Sequence, residues 1–272
     1  EAEAYPLVVC SVGSALLYTL PPELMAGVFP ATGELSVWKK GDRIRIESVL
    51  GQWLELGNHN EPVVEAPGSF SHRGGILDVY PTGSEWPLRI ELWDDEIDTI
   101  RYFDPVSQRS IRPAEEVRLA PAREQLPGLA DQEMVAARID ALDYAKCGEE
   151  IQDRMAEELS QLTSSPNPET LSFYNGLVNR SHLMEYIGAD GLVVLERSGR
   201  VEAEALELEE RFERMREARE ERGELPVNFP SPHMDWEEFS NRLEGVPQIQ
   251  LQTWVGDDED KIFQSSTQYY GK

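Results

Sequence analysis

Three consecutive short apolar-rich segments, at residues 76–80, 88–93 and 99–103, read as strands, and in the middle one apolar and polar positions alternate with a period of two. Pro81-Thr82-Gly83-Ser84 breaks the chain after the first, and Asp94-Asp95-Glu96 turns it after the second. The pattern therefore predicts an antiparallel three-stranded meander. In the middle strand the alternation puts Leu88, Ile90 and Leu92 on one face and Arg89, Glu91 and Trp93 on the other. The apolar face belongs on a core. The opposite face then shows solvent an arginine and a tryptophan on either side of a carboxylate, the two residue types most enriched at binding hot spots. The alternative is that a helix or the next domain covers Trp93 and Arg89 pairs with Glu91 or Asp95.

The period changes elsewhere. Apolar residues at 46, 49, 50, 53, 54 and 56 predict an amphipathic helix, ended by Gly57-Asn58 and able to cover the apolar face of the meander. Val63-Val64 reads as a short extended piece that can pair at the sheet edge. The continuous run at 5–12 (YPLVVCSV) has the character of a strand buried on both faces. Gly13-Ser14 would then cap a short helix over 15–20, which Pro21-Pro22 ends. Helical spacing returns over 132–162, with Gly148 as its divider, and SSPNP at 164–168 reads as a linker. Phe173, Tyr174, Leu177, Leu183 and Tyr186 form an aromatic-rich helical cluster, followed by a second buried strand at 191–195. A charged helix over 200–222, a short helix over 236–243 and a strand over 249–254 complete the pattern, and the tail beyond 256 reads as a linker.

Composition narrows the function. The chain has 272 residues, room for two domains, and no apolar run long enough to cross a bilayer. Its formal net charge is −26, which opposes autonomous binding to a phosphate backbone. The acid is uneven: residues 36–120 hold 10 Lys/Arg against 15 Asp/Glu, and most of the excess lies outside them. Two cysteines, Cys10 and Cys147, lie far apart without metal-ligand spacing, which suits a reduced cytoplasmic compartment. The chain starts at Glu1 with no signal-peptide pattern, as a processed or excised piece of something longer would. No G-x-x-x-x-G-K-[ST] loop is present to cradle a nucleotide's phosphates, so neither a catalytic site nor a cofactor is expected.

Three further groups invite chemistry. Lys39, Lys40, Arg43 and Arg45 are a basic cluster around a Gly41-Asp42 turn, suited either to an acidic partner or to plain solvation. The acidic run Asp94, Asp95, Glu96 and Asp98 lacks the glycine and terminal glutamate of a calcium loop, so it reads as an acidic turn and no metal is expected. Arg73-Gly74-Gly75 precedes the first strand, and its glycines let the backbone swing Arg73 beside Arg89. A pair of arginines suits bidentate recognition of a carboxylate, or else internal pairing with Asp78, Glu91 or Asp95.

The motif F-x-x-R-G-G-I-L-D-V-Y-P at 70–81, followed by P-L-R-I-E-L-W-D-D-E-I-D-T-I-R-Y-F-D-P-V-S-Q-R-S at 87–110, resembles the UvrB-interaction module of bacterial transcription-repair coupling factors. Weaker resemblance extends over 7–20 and 171–251. It implies an α/β fold: a partial helicase-like domain, similar to the first domain of UvrB, at 1–35 and 120–260. A small inserted α+β module with an antiparallel sheet would occupy 36–119, and a linker tail 261–272. It also implies a non-catalytic adaptor that binds the damage-recognition ATPase UvrA through two arginines and an aromatic, which fall on Arg73, Arg89 and Trp93. The family often has Phe where this chain has Trp93. In the full-length family, RNA polymerase and DNA are engaged by further domains, including a motor ATPase. A UvrB-like ATPase acting on damaged DNA and an acidic scaffold are the alternatives. As solvent-facing residues, Arg73, Arg89 and Trp93 are expected to tolerate substitution at a cost below about 1 kcal/mol in stability.

Overall fold

The computed structural model describes residues 7–28, 36–162, 171–188 and 191–252. The mixed α/β chain forms two compact units. One comprises Leu20–Ala137 and Glu158–Ser172; the other comprises Glu1–Thr19, Arg138–Glu157 and Phe173–Lys272.

The first element, α1 (Val12–Leu16), starts one turn earlier than the sequence suggests, because Ser11 caps it by accepting from the backbone N–H of Ser14 at 3.2 Å. Residues 17–20 are consequently not helical, and β1 (Tyr18–Thr19) follows. Nor do residues 7–10 form the expected strand buried on both faces. Leu7 and Val9 are 88% and 87% exposed, and no strand among the described residues pairs with them.

The unit built on Leu20–Ala137 carries the meander. Pro22 opens the short α2 (Pro22–Met25) instead of ending a helix, since proline is tolerated in a first turn. β2 (Val37–Lys39) pairs antiparallel with a later strand, and α3 (Ile46–Glu55) is the amphipathic helix that the spacing predicts. A six-stranded sheet then forms from β3 (His59–Asn60), β4 (Ser69–Arg73), β5 (Ile76–Val79), β6 (Leu88–Trp93), β7 (Glu96–Phe103) and β8 (Ser110–Pro113), in that spatial order. β9 (Glu116–Arg118) is the partner of β2. The edge position given to Val63-Val64 belongs to β3, and Val64 is instead fully buried in the unit.

The inner face of the sheet is apolar as parity requires. Leu77, Val79, Leu88, Ile90, Ile97 and Ile100 share one core with Val49 and Trp53 of α3. Trp53 is wholly buried and meets Trp38 and Phe70 edge-on, with centroids 5.8 and 5.6 Å apart, a favoured aromatic geometry. Ile97 and Ile100 are both buried although three positions apart, which a regular strand forbids. The register steps by one residue between Glu91 and Leu92, leaving Asp98 of β7 as a bulge that restores the parity.

The helical stretch at 132–162 divides into α4 (Gln132–Asp140) and α5 (Glu149–Gln161), with Gly148 at the break. The other unit continues with α6 (Asn175–Val178), β10 (Ser181–His182), β11 (Val193–Glu196), α7 (Ser198–Glu221), α8 (Trp236–Leu243) and β12 (Gln248–Leu251). The predicted aromatic helix is thus a single turn, α6, followed by a 3-10 turn at Leu183–Tyr186. α6 is pinned by Asn175, whose side-chain amide donates to the carbonyls of Tyr18 and Pro232 at 2.9 and 3.2 Å. Gly176 beside it leaves no room for a side chain, because a Cβ there would collide with the carbonyl oxygens of Ser231 and Pro230. β11 and β12 pair in parallel, but Val194 and Ile249 stay about half exposed, so the strand predicted as buried at 191–195 is covered on one face only. A core of Leu16, Tyr18, Met184, Ala205, Met234, Phe239 and Leu243 holds this unit together. The expected linker at 164–168 and tail at 261–272 lie outside the described residues.

Candidate functional site

The outer face of the six-stranded sheet is polar and organised around one buried carboxylate. Register places Asp78 of β5 directly opposite Arg89 of β6 and opposite Ser71 of β4, while Arg73 faces Ile76. Arg73 is therefore the diagonal neighbour of Asp78, within reach of a long side chain.

The contacts follow that register. Arg89 Nε donates to Asp78 Oδ1 at 2.7 Å and Arg89 Nη2 to Oδ2 at 2.8 Å, a bidentate pair. Arg73 Nη2 donates to the same Oδ2 at 3.0 Å. The three side chains differ in exposure: 1% for Asp78, 17% for Arg89 and 54% for Arg73. Arg89 also lies over the Phe103 ring, 4.7 Å from its centroid, and donates to the main-chain oxygen and Oε1 of Gln108, both at 3.4 Å. The hydrogen bond that Arg89 donates to Asp78 raises the Arg89 pKa further, so the guanidinium stays charged throughout the working range.

Trp93 is a different case. It closes β6 opposite Glu96, and the turn between them is held by Asp94 in the left-handed region at φ 59°. The indole is 82% exposed. The Arg73 hairpin reaches toward the same end of the strand: Gly74 takes φ 61° in its two-residue turn, and the Gly75 carbonyl accepts from the Leu92 N–H at 2.8 Å. Arg73 and Trp93 thus flank one hydrogen-bonded junction on the sheet.

Of the residues the sequence singles out, Arg73 and Arg89 meet through Asp78, and Trp93 stands free on the surface. Gln108 and Phe103 escaped the sequence reading. Gln108 adopts φ 59°, a conformation that its residue type does not announce, and its side-chain amide donates to the carbonyls of Pro105 and Val64 at 2.7 and 3.2 Å. Within the basic cluster, Lys39 pairs with Glu116 at 3.4 Å and Arg43 with Asp95 at 3.8 Å. The acidic turn at 94–98 forms no His/Cys/Asp/Glu group suited to a metal among the described residues.

Residues 37–124 match the family of the UvrB interaction domain. The chain is 33% identical over 173 residues to the transcription-repair-coupling factor of Bacillus subtilis (strain 168), covering 61% of this chain and 13% of that protein. The Escherichia coli (strain K12) factor is 30% identical over 230 residues, 81% of this chain and 19% of its own length. The Myxococcus xanthus factor is 37% identical over 126 residues, 46% of this chain and 10% of its own. The chain therefore spans less than a fifth of the length of these relatives. Residues 37–124 thus match the UvrB interaction domain, within a chain similar to one stretch of the transcription-repair-coupling factors.

Proposed function

We propose that the domain at 37–124 binds UvrA and that Arg73, Arg89 and Trp93 make the contact. In the intact protein this brings UvrA to stalled RNA polymerase for nucleotide excision repair. The chain acts as an adaptor without catalysis or a cofactor, and it does not hold DNA by itself. RNA polymerase and DNA belong to other parts of the full-length protein.

The observation that carries this reading is the exposed indole of Trp93 beside the arginine-bearing hairpin. An aromatic left in water at the edge of a charged patch gains most from association, since burying it removes a large apolar area. The arginine fork supplies direction, because it recognises a planar acceptor and lysine would not.

Calorimetric titration of UvrA into the chain tests the proposal. The unsubstituted chain is expected to bind saturably, and Trp93→Ala to weaken the Kd by about 30- to 1,000-fold, the range of an interface hot spot. Absence of saturable binding by the unsubstituted chain sinks the reading.

A further inference from the structure

Asp78 is buried at 1% exposure, and both of its carboxylate oxygens are taken by guanidinium N–H groups. Burying that charge requires a partner, and Arg89 already supplies one donor to each oxygen. The third bond, from Arg73, is not needed for that purpose. Arg73 is 54% exposed and could be solvated by water instead. The bond therefore does more for Arg73 than for Asp78. It spends one of the five N–H donors and leaves the rest of the fork at the surface, with one net positive charge on the group of three.

We infer that Asp78 is a positioning residue for UvrA binding: it holds the Arg73 guanidinium in place to receive a carboxylate of the partner. The inference rests on the proposed UvrA reading. A free surface arginine samples many rotamers and loses that freedom on association, whereas one already tethered at Nη2 has lost part of it beforehand. Besides the contact proposed for it above, Arg89 serves the same end one step further back. Its stacking on Phe103 and its bonds to Gln108 fix the guanidinium that fixes Asp78.

A double-mutant cycle tests this, with Asp78→Asn, Arg73→Ala and the double variant prepared in the full 272-residue chain and titrated with UvrA. Asn keeps the shape of Asp78 and removes its charge. It is expected to weaken binding about tenfold alone and to add nothing in the Arg73→Ala background, since a residue acting only through Arg73 has nothing left to position. Additive losses overturn the inference. Should Asp78→Asn fail to fold, nitrogen relaxation at Arg73 Nε in the unsubstituted chain decides instead. A restrained N–H supports the tether, and an order parameter below about 0.6, the flexible range, overturns it. The two readings fail distinguishably: no UvrA binding by the unsubstituted chain removes both, whereas binding with additive losses removes the positioning role alone.

Discussion

Arg89 and Asp78 face each other across β5 and β6 with both edges engaged, Nε to Oδ1 at 2.7 Å and Nη2 to Oδ2 at 2.8 Å. That pairing makes the two arginines of the patch unequal. Removing Arg89 leaves a buried carboxylate with one contact from a half-exposed side chain, and breaking a buried pair in this way costs about 3 kcal/mol. Removing Arg73 leaves the bidentate pair intact and should cost less than about 1 kcal/mol, as exposed ion pairs do. A near-neutral effect is therefore expected for Arg73 alone, and the burial of the Arg89–Asp78 pair revises that expectation for Arg89. Urea unfolding of Arg89→Ala and Arg73→Ala checks the order, and equal midpoints would contradict it.

Trp93 should separate binding from folding most cleanly. With 82% of the residue already in water, Trp93→Ala removes little that folding buries and should move stability by no more than about 0.5 kcal/mol. The same change should cost about 2–4 kcal/mol of UvrA affinity. A melting curve and a binding isotherm on one preparation decide it. Loss of both in step would make Trp93 structural.

Trp53 is the opposite kind of tryptophan. It is fully buried between Trp38 and Phe70 and forms part of the core under the sheet. Trp53→Ala should destabilise the unit by about 3–5 kcal/mol through lost burial and the cavity left behind. Chemical denaturation followed by far-UV circular dichroism measures this, and a loss below about 1 kcal/mol would mean the core collapses around the site.

The contrast between these two tryptophans was readable in the sequence, because each sits in a periodic segment. The spacing at 46–56 puts Trp53 among the apolar positions of α3, and the parity of 88–93 puts Trp93 opposite Leu88, Ile90 and Leu92. The bulge at Asp98 was hidden, since the three-residue gap from Ile97 to Ile100 fits no simple period until the pairing with Glu91 and Leu92 is known. The buried state of Asp78 was hidden too. A period of two names the face of a residue, but whether that face is wet depends on the long side chains beside it, here Arg89 and Arg73. The run at 7–10 misled for a related reason. Apolar composition signals a wish for burial, and burial needs a neighbouring strand that no local pattern supplies.

Two histidines give the other unit a pH dependence of definite sign. Burial pushes the His182 pKa below the usual histidine value; the carboxylate of Glu185, 3.0 Å from Nε2 but without hydrogen-bond geometry, pulls it back more weakly. Arg242 adds to the depression and Glu238 opposes it. His233 is lowered by burial as well, with the Phe212 ring edge-on at 4.9 Å and Ser231 Oγ 2.8 Å from Nδ1. Unfolded, both rings titrate near about 6.5. In the window just below that value the unfolded chain binds more protons than the folded one, so stability rises with pH there and is lost on acidification. Above about pH 6.5 the contribution is fully present. The net charge of −26 works the other way, because protonating carboxylates relieves self-repulsion as pH falls. The informative quantity is consequently a difference. Between about pH 7.5 and 5.5, around the histidine value, the melting temperature of the unsubstituted chain should fall more steeply than that of a His182→Gln, His233→Gln variant. Parallel slopes for the two proteins would show that neither imidazole is neutralised by folding.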